Sequence, residues 1–169
     1  MIPISVASSS RFSWSTLPRN QGCELRQESE IVGALRQPSM WSSNYVASTV
    51  DHQWIFRRMG FWGSAAEIVD SVSQQSVATF KSSWGGRGTL TFSDGEKFDF
   101  VCHGLWHPVW TVMSADGQPL LSLHTREEFV DVKWTSAPKA RLALLVLFTL
   151  YRVRQAEEDA SSAATVACL

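Results

Sequence analysis

"RLALLVLFTLYRVRQ", Arg141 to Gln155, is the stretch that decides the fold. From Leu142 to Tyr151 every residue except Thr149 is apolar or aromatic. At about 100° per residue, such a run is apolar around the whole circumference of a helix. Thr149 does not interrupt it, because a helical threonine hydroxyl can bond the carbonyl one turn back. A helix of this kind must be surrounded by apolar material. A membrane would serve, but a span needs about 20 apolar residues, and the uninterrupted run is roughly half that before Arg152 and Arg154. The interior of a protein is the other environment. Ser136 suits the N-cap and Pro138 the first turn, which predicts an axial helix over about 137–157.

The chain before it supplies what could surround such a helix. "CELRQESEIVGALRQP" reads as two short strands around a polar turn, followed by "NYVASTV" and "HQWIFRRMGF" with Asp51 and His52 near their turn. "GSAAEIVDSVS" and "SVATFKSSW" are joined by the polar Ser73-Gln74-Gln75. "RGTLTFSDGEKFDFVC" is the clearest hairpin: Leu90 and Phe92 alternate with Thr89 and Thr91, Phe98 and Phe100 alternate with Lys97 and Asp99, and Asp94-Gly95 suits the turn. "HPVWTVMSADGQPLLSLH" repeats the arrangement around Asp116-Gly117, with Pro119 expected at a strand start or edge. In "FVDVKWTS", Val130, Val132 and Trp134 share one face and Asp131, Lys133 and Thr135 the other.

Roughly ten to twelve strands at regular short spacing mark an all-β barrel or sandwich. A barrel of that size is wide enough to hold one helix on its axis. Closure also removes the sheet edges, and the helix loses its exposure. The fold expected is therefore mainly β: a closed antiparallel barrel of about twelve strands around one central hydrophobic C-terminal helix. Residues 1–22 are expected as an N-terminal segment, partly ordered or a first strand, 23–158 as the barrel with its helix, and 159–169 as a flexible tail.

Composition fits this picture. The 169 residues make one domain, and eight Trp with nine Phe fill a β-rich interior. Fifteen Lys and Arg against sixteen Asp and Glu give a net charge of −1, which argues against a nucleic-acid binder. Cys23, Cys102 and Cys168 are odd in number and without a CxxC pair, so no disulfide framework is expected and a reducing cytoplasm is the simpler home. The start, "MIPISVASSSRFSW", lacks the charge and continuous apolar run of a secretory signal.

The order of these elements, with several short phrases, resembles the tubby C-terminal domain, whose barrel is shared by phospholipid scramblases and LURP-one-related proteins. "CELRQESEIVGALRQPSMWSSNYVAST" resembles the opening strands, and "DHQWIFRRMGFWG" a Trp/Arg/Gly-Phe strand of bacterial relatives. "DGQPLLSLH" is similar to the late hairpin and "LALLVLFTLY" to the axial helix. The likeness covers about Cys23 to Glu158. It implies about twelve strands around the helix, and the phospholipid association of some members. It assigns no binding residue, since no position matches the tubby phosphoinositide signature residue by residue, and no acidic loop has calcium-ligand spacing.

Candidate chemistry is sparse. "FRRMGFWG" sets Arg57 and Arg58 beside Phe61 and Trp62, a pairing suited to phosphate head groups or a membrane interface. Neighbouring strand residues face opposite ways, so one of these arginines must turn toward the core or lie beyond the strand end. "SWGGRGTL" places Gly85, Gly86 and Gly88 around Arg87, a turn that could aim N–H groups at an anion but lacks the P-loop Lys-Ser/Thr. With Lys81, the residues Arg57, Arg58 and Arg87 form the candidate anion or lipid set, near Trp62 and Trp84. In the 102–107 loop, "CHGLWH", His103 and His107 are the metal candidates, but a separation of four aligns ligands only on a helix, and further ligands are lacking. No G-x-S-x-G occurs, and Glu127-Glu128 and Glu157-Glu158-Asp159 read as solvated charge.

The expectation is a non-enzymatic, cytoplasmic tubby-like binding module, without cofactor or metal. It would associate weakly with phospholipid at a membrane surface, or with a membrane-proximal protein partner. One alternative is a scramblase-like protein anchored by helix 141–155. A second is a small enzyme with its site at the 102–107 loop.

Overall fold

In the computed structural model, the described residues are 1, 10–18, 21–39, 42–60, 64–83, 87–104, 106–133 and 138–167, with side chains omitted at 10, 139 and 162–167. Among the described residues, twelve strands precede one helix. They are β1 (Ser10–Thr16), β2 (Gly22–Gln27), β3 (Glu30–Arg36), β4 (Tyr45–Ser48), β5 (Gln53–Met59) and β6 (Ala65–Asp70), then β7 (Ser76–Ser83), β8 (Arg87–Phe92), β9 (Lys97–His103), β10 (Val109–Ser114), β11 (Pro119–His124) and β12 (Phe129–Val132), with helix α1 (Lys139–Ala167). Each strand pairs antiparallel with its sequence neighbours, and β1 pairs with β12 to close the barrel.

Strict alternation fixes the inside. Leu90, Phe92, Phe98 and Phe100 are buried while Thr89, Thr91, Lys97 and Asp99 face outward. Gly95 and Gly117 adopt positive φ in the turns that "SDGE" and "ADGQ" announce. Pro119 opens β11 beside a bulge in that strand, where Leu120 is the extra residue between Pro119 and Leu121, a position that tolerates a missing N–H. Phe12 and Trp14 of β1 point into the core, so the barrel begins ahead of Cys23, and residues 10–16 are its first strand.

The helix lies inside. Leu142 to Tyr151 are all buried, and the Thr149 hydroxyl donates to the Leu145 carbonyl at 2.7 Å. Phe148 is ringed by Phe56, Phe80, Phe100 and Tyr151, with centroids 5.3–5.5 Å away. At Gly33 a Cβ would meet the Leu147 side chain at 3.4 Å, so the wall comes close to the axis there.

Two expectations about the helix need correction. Pro138 lies just outside it: its carbonyl accepts the first intrahelical bond, from the Leu142 N–H at 3.1 Å, which makes it the capping position. Ser136, the expected cap, falls outside the described residues. The helix also does not stop near 157 but runs through Ala167, across much of the expected flexible tail. "AEEDASSAATVA" is rich in Ala and Glu, good helix formers, and it continues a helix already nucleated within the barrel. At 1.5 Å per residue the 29 residues span about 43 Å, longer than strands of seven residues at about 23 Å. The last turns therefore project past the rim, and Ala156, Ala160 and Ser161 are exposed.

The helix gives the barrel two distinct ends. It enters where Arg141 pairs with Asp94 at 2.6 Å and with Glu96, both in the β8–β9 turn. It exits among the last residues of the odd-numbered strands and the first of the even-numbered ones, where Tyr45 of β4 donates to Glu158 and Arg58 of β5 pairs with Asp159 at 2.8 Å.

Candidate functional site

The basic residues singled out above fall on β5, β7 and β8: Arg58, Lys81 and Arg87 lie toward the exit end, while Arg57 is farther from it and reaches Gln74 of the β6–β7 turn. Arg57, Lys81 and Arg87 point outward, since the residues beside them, Phe56, Phe80 and Gly88, are buried. In the ladder Arg57 is opposite Glu67, Lys81 is opposite both Ala65 and Thr89, and Arg87 is opposite Ser83. Neighbouring positions in this set are thus on the order of 10 Å apart on one wall.

Arg58 does not join them. It lies on the inward side of β5, one position from the strand end, and its guanidinium reaches across the mouth to Asp159. Alternation forces the split, because Phe56 faces the core and its second neighbour must follow it.

Two acids temper the outer wall. Arg57 is 3.7 Å from Glu67 and also donates to Gln74 at 3.4 Å. Asp99 accepts from the Thr89 hydroxyl at 2.7 Å, one strand from Arg87. Lys81 and Arg87 are exposed and pair with no carboxylate among the described residues. Beside Arg87 lies a groove of about 470 Å³, lined by Thr89, Asp99, His103 and Met113 among others. Phe61, Trp62, Trp84, Gly85 and Gly86 lie outside the described residues.

His103 ends β9 and is exposed on its outer side. His107 sits in the following loop, where its Nε2 is 3.1 Å from an Arg126 nitrogen. No cluster of three or more His, Cys, Asp or Glu side chains able to hold a metal occurs among the described residues. Cys23 and Cys102 are free thiols facing the interior. Burial pushes the Cys23 thiol up to about 12 and raises Cys102 as well, so neither is poised as a thiolate.

The acidic run Glu157-Glu158-Asp159 is not merely solvated. Glu157 pairs with Arg154 at 2.8 Å, Glu158 accepts from Tyr45, and Asp159 holds Arg58. Around them lies a polar collar that sequence reasoning missed. Arg152 donates to Gln155 at 2.6 Å, and Gln155 donates to the Tyr151 hydroxyl at 2.6 Å. The Arg152 guanidinium lies over Phe80 at 4.7 Å and near Trp110 at 5.9 Å. Burial, first of all, raises the Tyr151 hydroxyl to about 12 and lifts that of Tyr45 too; for Tyr45 the hydrogen bond to Glu158 adds to the effect. The only signal in the sequence was the placement of Arg152 and Arg154 directly after the apolar run.

No family model matches the chain, and the searches of curated proteins and of solved structures find no match either.

Proposed function

We propose that this chain is a non-enzymatic binding module of the tubby-like kind, acting in the cytoplasm and associating weakly with an anionic phospholipid surface. The observation that carries this reading is the outward placement of Arg57, Lys81 and Arg87 on one wall, with Lys81 and Arg87 near the exit end and Arg57 farther along the wall. The turns at the opposite end carry Glu28, Asp51, Asp94, Glu96 and Asp116; the acids of the exit-end turns, Glu127 and Glu128, lie between β11 and β12, on the far side of the barrel from β5–β8. The resemblance to barrels that bind phospholipid supports the same ligand class.

Magnitudes keep the interaction weak. Each basic residue close to an anionic surface contributes on the order of 1 kcal/mol, screened beyond a Debye length of about 8–10 Å. Three residues, one facing Glu67, give a salt-sensitive attachment of low affinity. A membrane anchor built on residues 141–155 finds no support, because Leu142–Tyr151 is enclosed by the barrel's own strands, and no helix of the described residues is long and apolar enough to cross a membrane.

Flotation with phosphatidylglycerol vesicles tests the reading. Binding should be present at low salt, weaken steeply at about 0.15 M, and be lost when Arg57, Lys81 and Arg87 are all replaced by Gln. Equal binding to neutral vesicles, or none to anionic ones at low salt, leaves a membrane-proximal protein partner as the better account.

A further inference from the structure

We infer that the helix exit forms a binding site for a single phosphate-class oxyanion, held by Arg152 from the central helix with Arg58 as the second cation. This site is separate from the outer wall of Arg57, Lys81 and Arg87 and does not depend on it.

The helix carries three arginines of known environment. Arg141 is held by Asp94 and Glu96, and Arg154 by Glu157. Arg152 alone of the three pairs with no carboxylate among the described residues. Its Nε is buried without a hydrogen-bond partner, while Nη1 is taken by Gln155. An uncompensated charge in such a place is costly, and stacking on Phe80 and Trp110 offsets only part of the cost. The side chain keeps partial exposure at the open end of the barrel, so an anion has a route to it.

The wall is shaped around this side chain. Gly88 lies inward on β8, and a Cβ there would meet the Phe80 ring at 2.1 Å. The missing side chain therefore lets Phe80 lean over β8 and present its face to the guanidinium. Arg58, also at the exit, is near enough for its charge to act on Arg152, as is its partner Asp159, 2.8 Å from Arg58. Arg58, Arg152 and Arg154 equal Glu157, Glu158 and Asp159 in number, but those acids are engaged by Arg154, Tyr45 and Arg58, and an oxyanion supplies the direct partner that Arg152 does not find among the described residues. A phosphate group suits planar guanidinium donors and can accept from both.

Thermal unfolding of the full chain in inorganic phosphate, against chloride at matched ionic strength, tests the site. At ten times its Kd, phosphate should raise the wild-type Tm by about 3–5 °C. Arg152→Met should abolish that rise while melting in chloride no lower than wild type, since an apolar side chain replaces an unpaired charge. Arg58→Gln should reduce the rise. No phosphate-dependent rise in wild type, or the same rise in Arg152→Met, overturns the inference.

The source of the anion is read on vesicles. If it is a lipid head group, Arg152→Met loses binding to phosphatidic acid vesicles but keeps binding to phosphatidylglycerol vesicles. If it is a free phosphate compound, the variant floats like wild type on both. The triple variant at Arg57, Lys81 and Arg87 should keep the phosphate-dependent rise, so failure of the wall and failure of this site are told apart.

Discussion

Replacing Phe148 with Ala strikes the barrel where helix and wall meet. Phe148 has no exposed surface, and four aromatic rings stand 5.3–5.5 Å from its own. A buried Phe→Ala change costs about 3–5 kcal/mol in lost transfer energy and residual cavity. Ring pairs of this geometry add about 0.5–1.5 kcal/mol each beyond area, overlapping with that figure rather than summing onto it. The closed barrel also resists collapse onto the cavity, because its diameter is tied to strand number and tilt. The expected loss is therefore about 5 kcal/mol, at the top of the range. For a domain with a total stability of about 5–15 kcal/mol, that leaves Phe148→Ala marginal or unfolded. Phe148→Leu should lose about 2 kcal/mol and remain folded. Urea unfolding followed by Trp fluorescence measures these losses, with Ala156→Gln, on the exposed part of the same helix, as the reference within about 0.5 kcal/mol of wild type. A loss below about 2 kcal/mol for Phe148→Ala, or one equal to that of Ala156→Gln, would refute the enclosed helix.

Gly88→Ala forces its methyl group against the Phe80 ring, so it should destabilise by about 1–3 kcal/mol; pairing it with Phe80→Leu should recover part of the loss in a double-mutant cycle. Asp70 caps the β6–β7 turn through the N–H groups of Ser73 and Val72 and the Ser73 hydroxyl, and these bonds, Ser73's first, hold its carboxyl below the usual 3.8. A lowered folded-state value means stabilisation that is present above the unfolded value and lost as pH falls through the folded one, so urea midpoints of wild type and Asp70→Ala should differ at pH 7 and converge below about pH 3.8. Cys23 should resist thiol alkylation in the native protein and react only on unfolding, read by peptide mass spectrometry; fast native labelling would contradict its burial and raised thiol pKa.

The wall of this barrel was legible because its strands obey a local rule. Period-two alternation in "TLTF" and "KFDF", with Asp-Gly at the turn, specifies hairpins that need nothing beyond a dozen residues. The apolar circumference of Leu142–Tyr151 then demanded an enclosing surface, and closure followed from the number of strands. The seam was harder. Phe12 and Trp14 show the same alternation in one short turnless stretch, but β1 gains its place only by pairing with β12, where Arg11 meets Asp131 at 2.9 Å across 120 positions. No local signal states such a pairing.

The exit end resisted reading for a related reason. Alternation separated Arg57 from Arg58 correctly in principle, yet only the rise of the helix past the rim brings Asp159 to Arg58 and Glu158 to Tyr45. A tail of Ala, Ser and acids reads as solvated because its partners come from strands about a hundred residues earlier. The same holds for Arg152. After an apolar run a basic residue looks like the end of burial, and on an isolated helix it would be. Here the neighbours of Arg152 are set by the barrel's girth, which brings Phe80 and Trp110 to it, and among the described residues no carboxylate pairs with it. The charge therefore stays where the apolar wall is still present, and that position, rather than the arginine as a residue type, is what makes the exit a site.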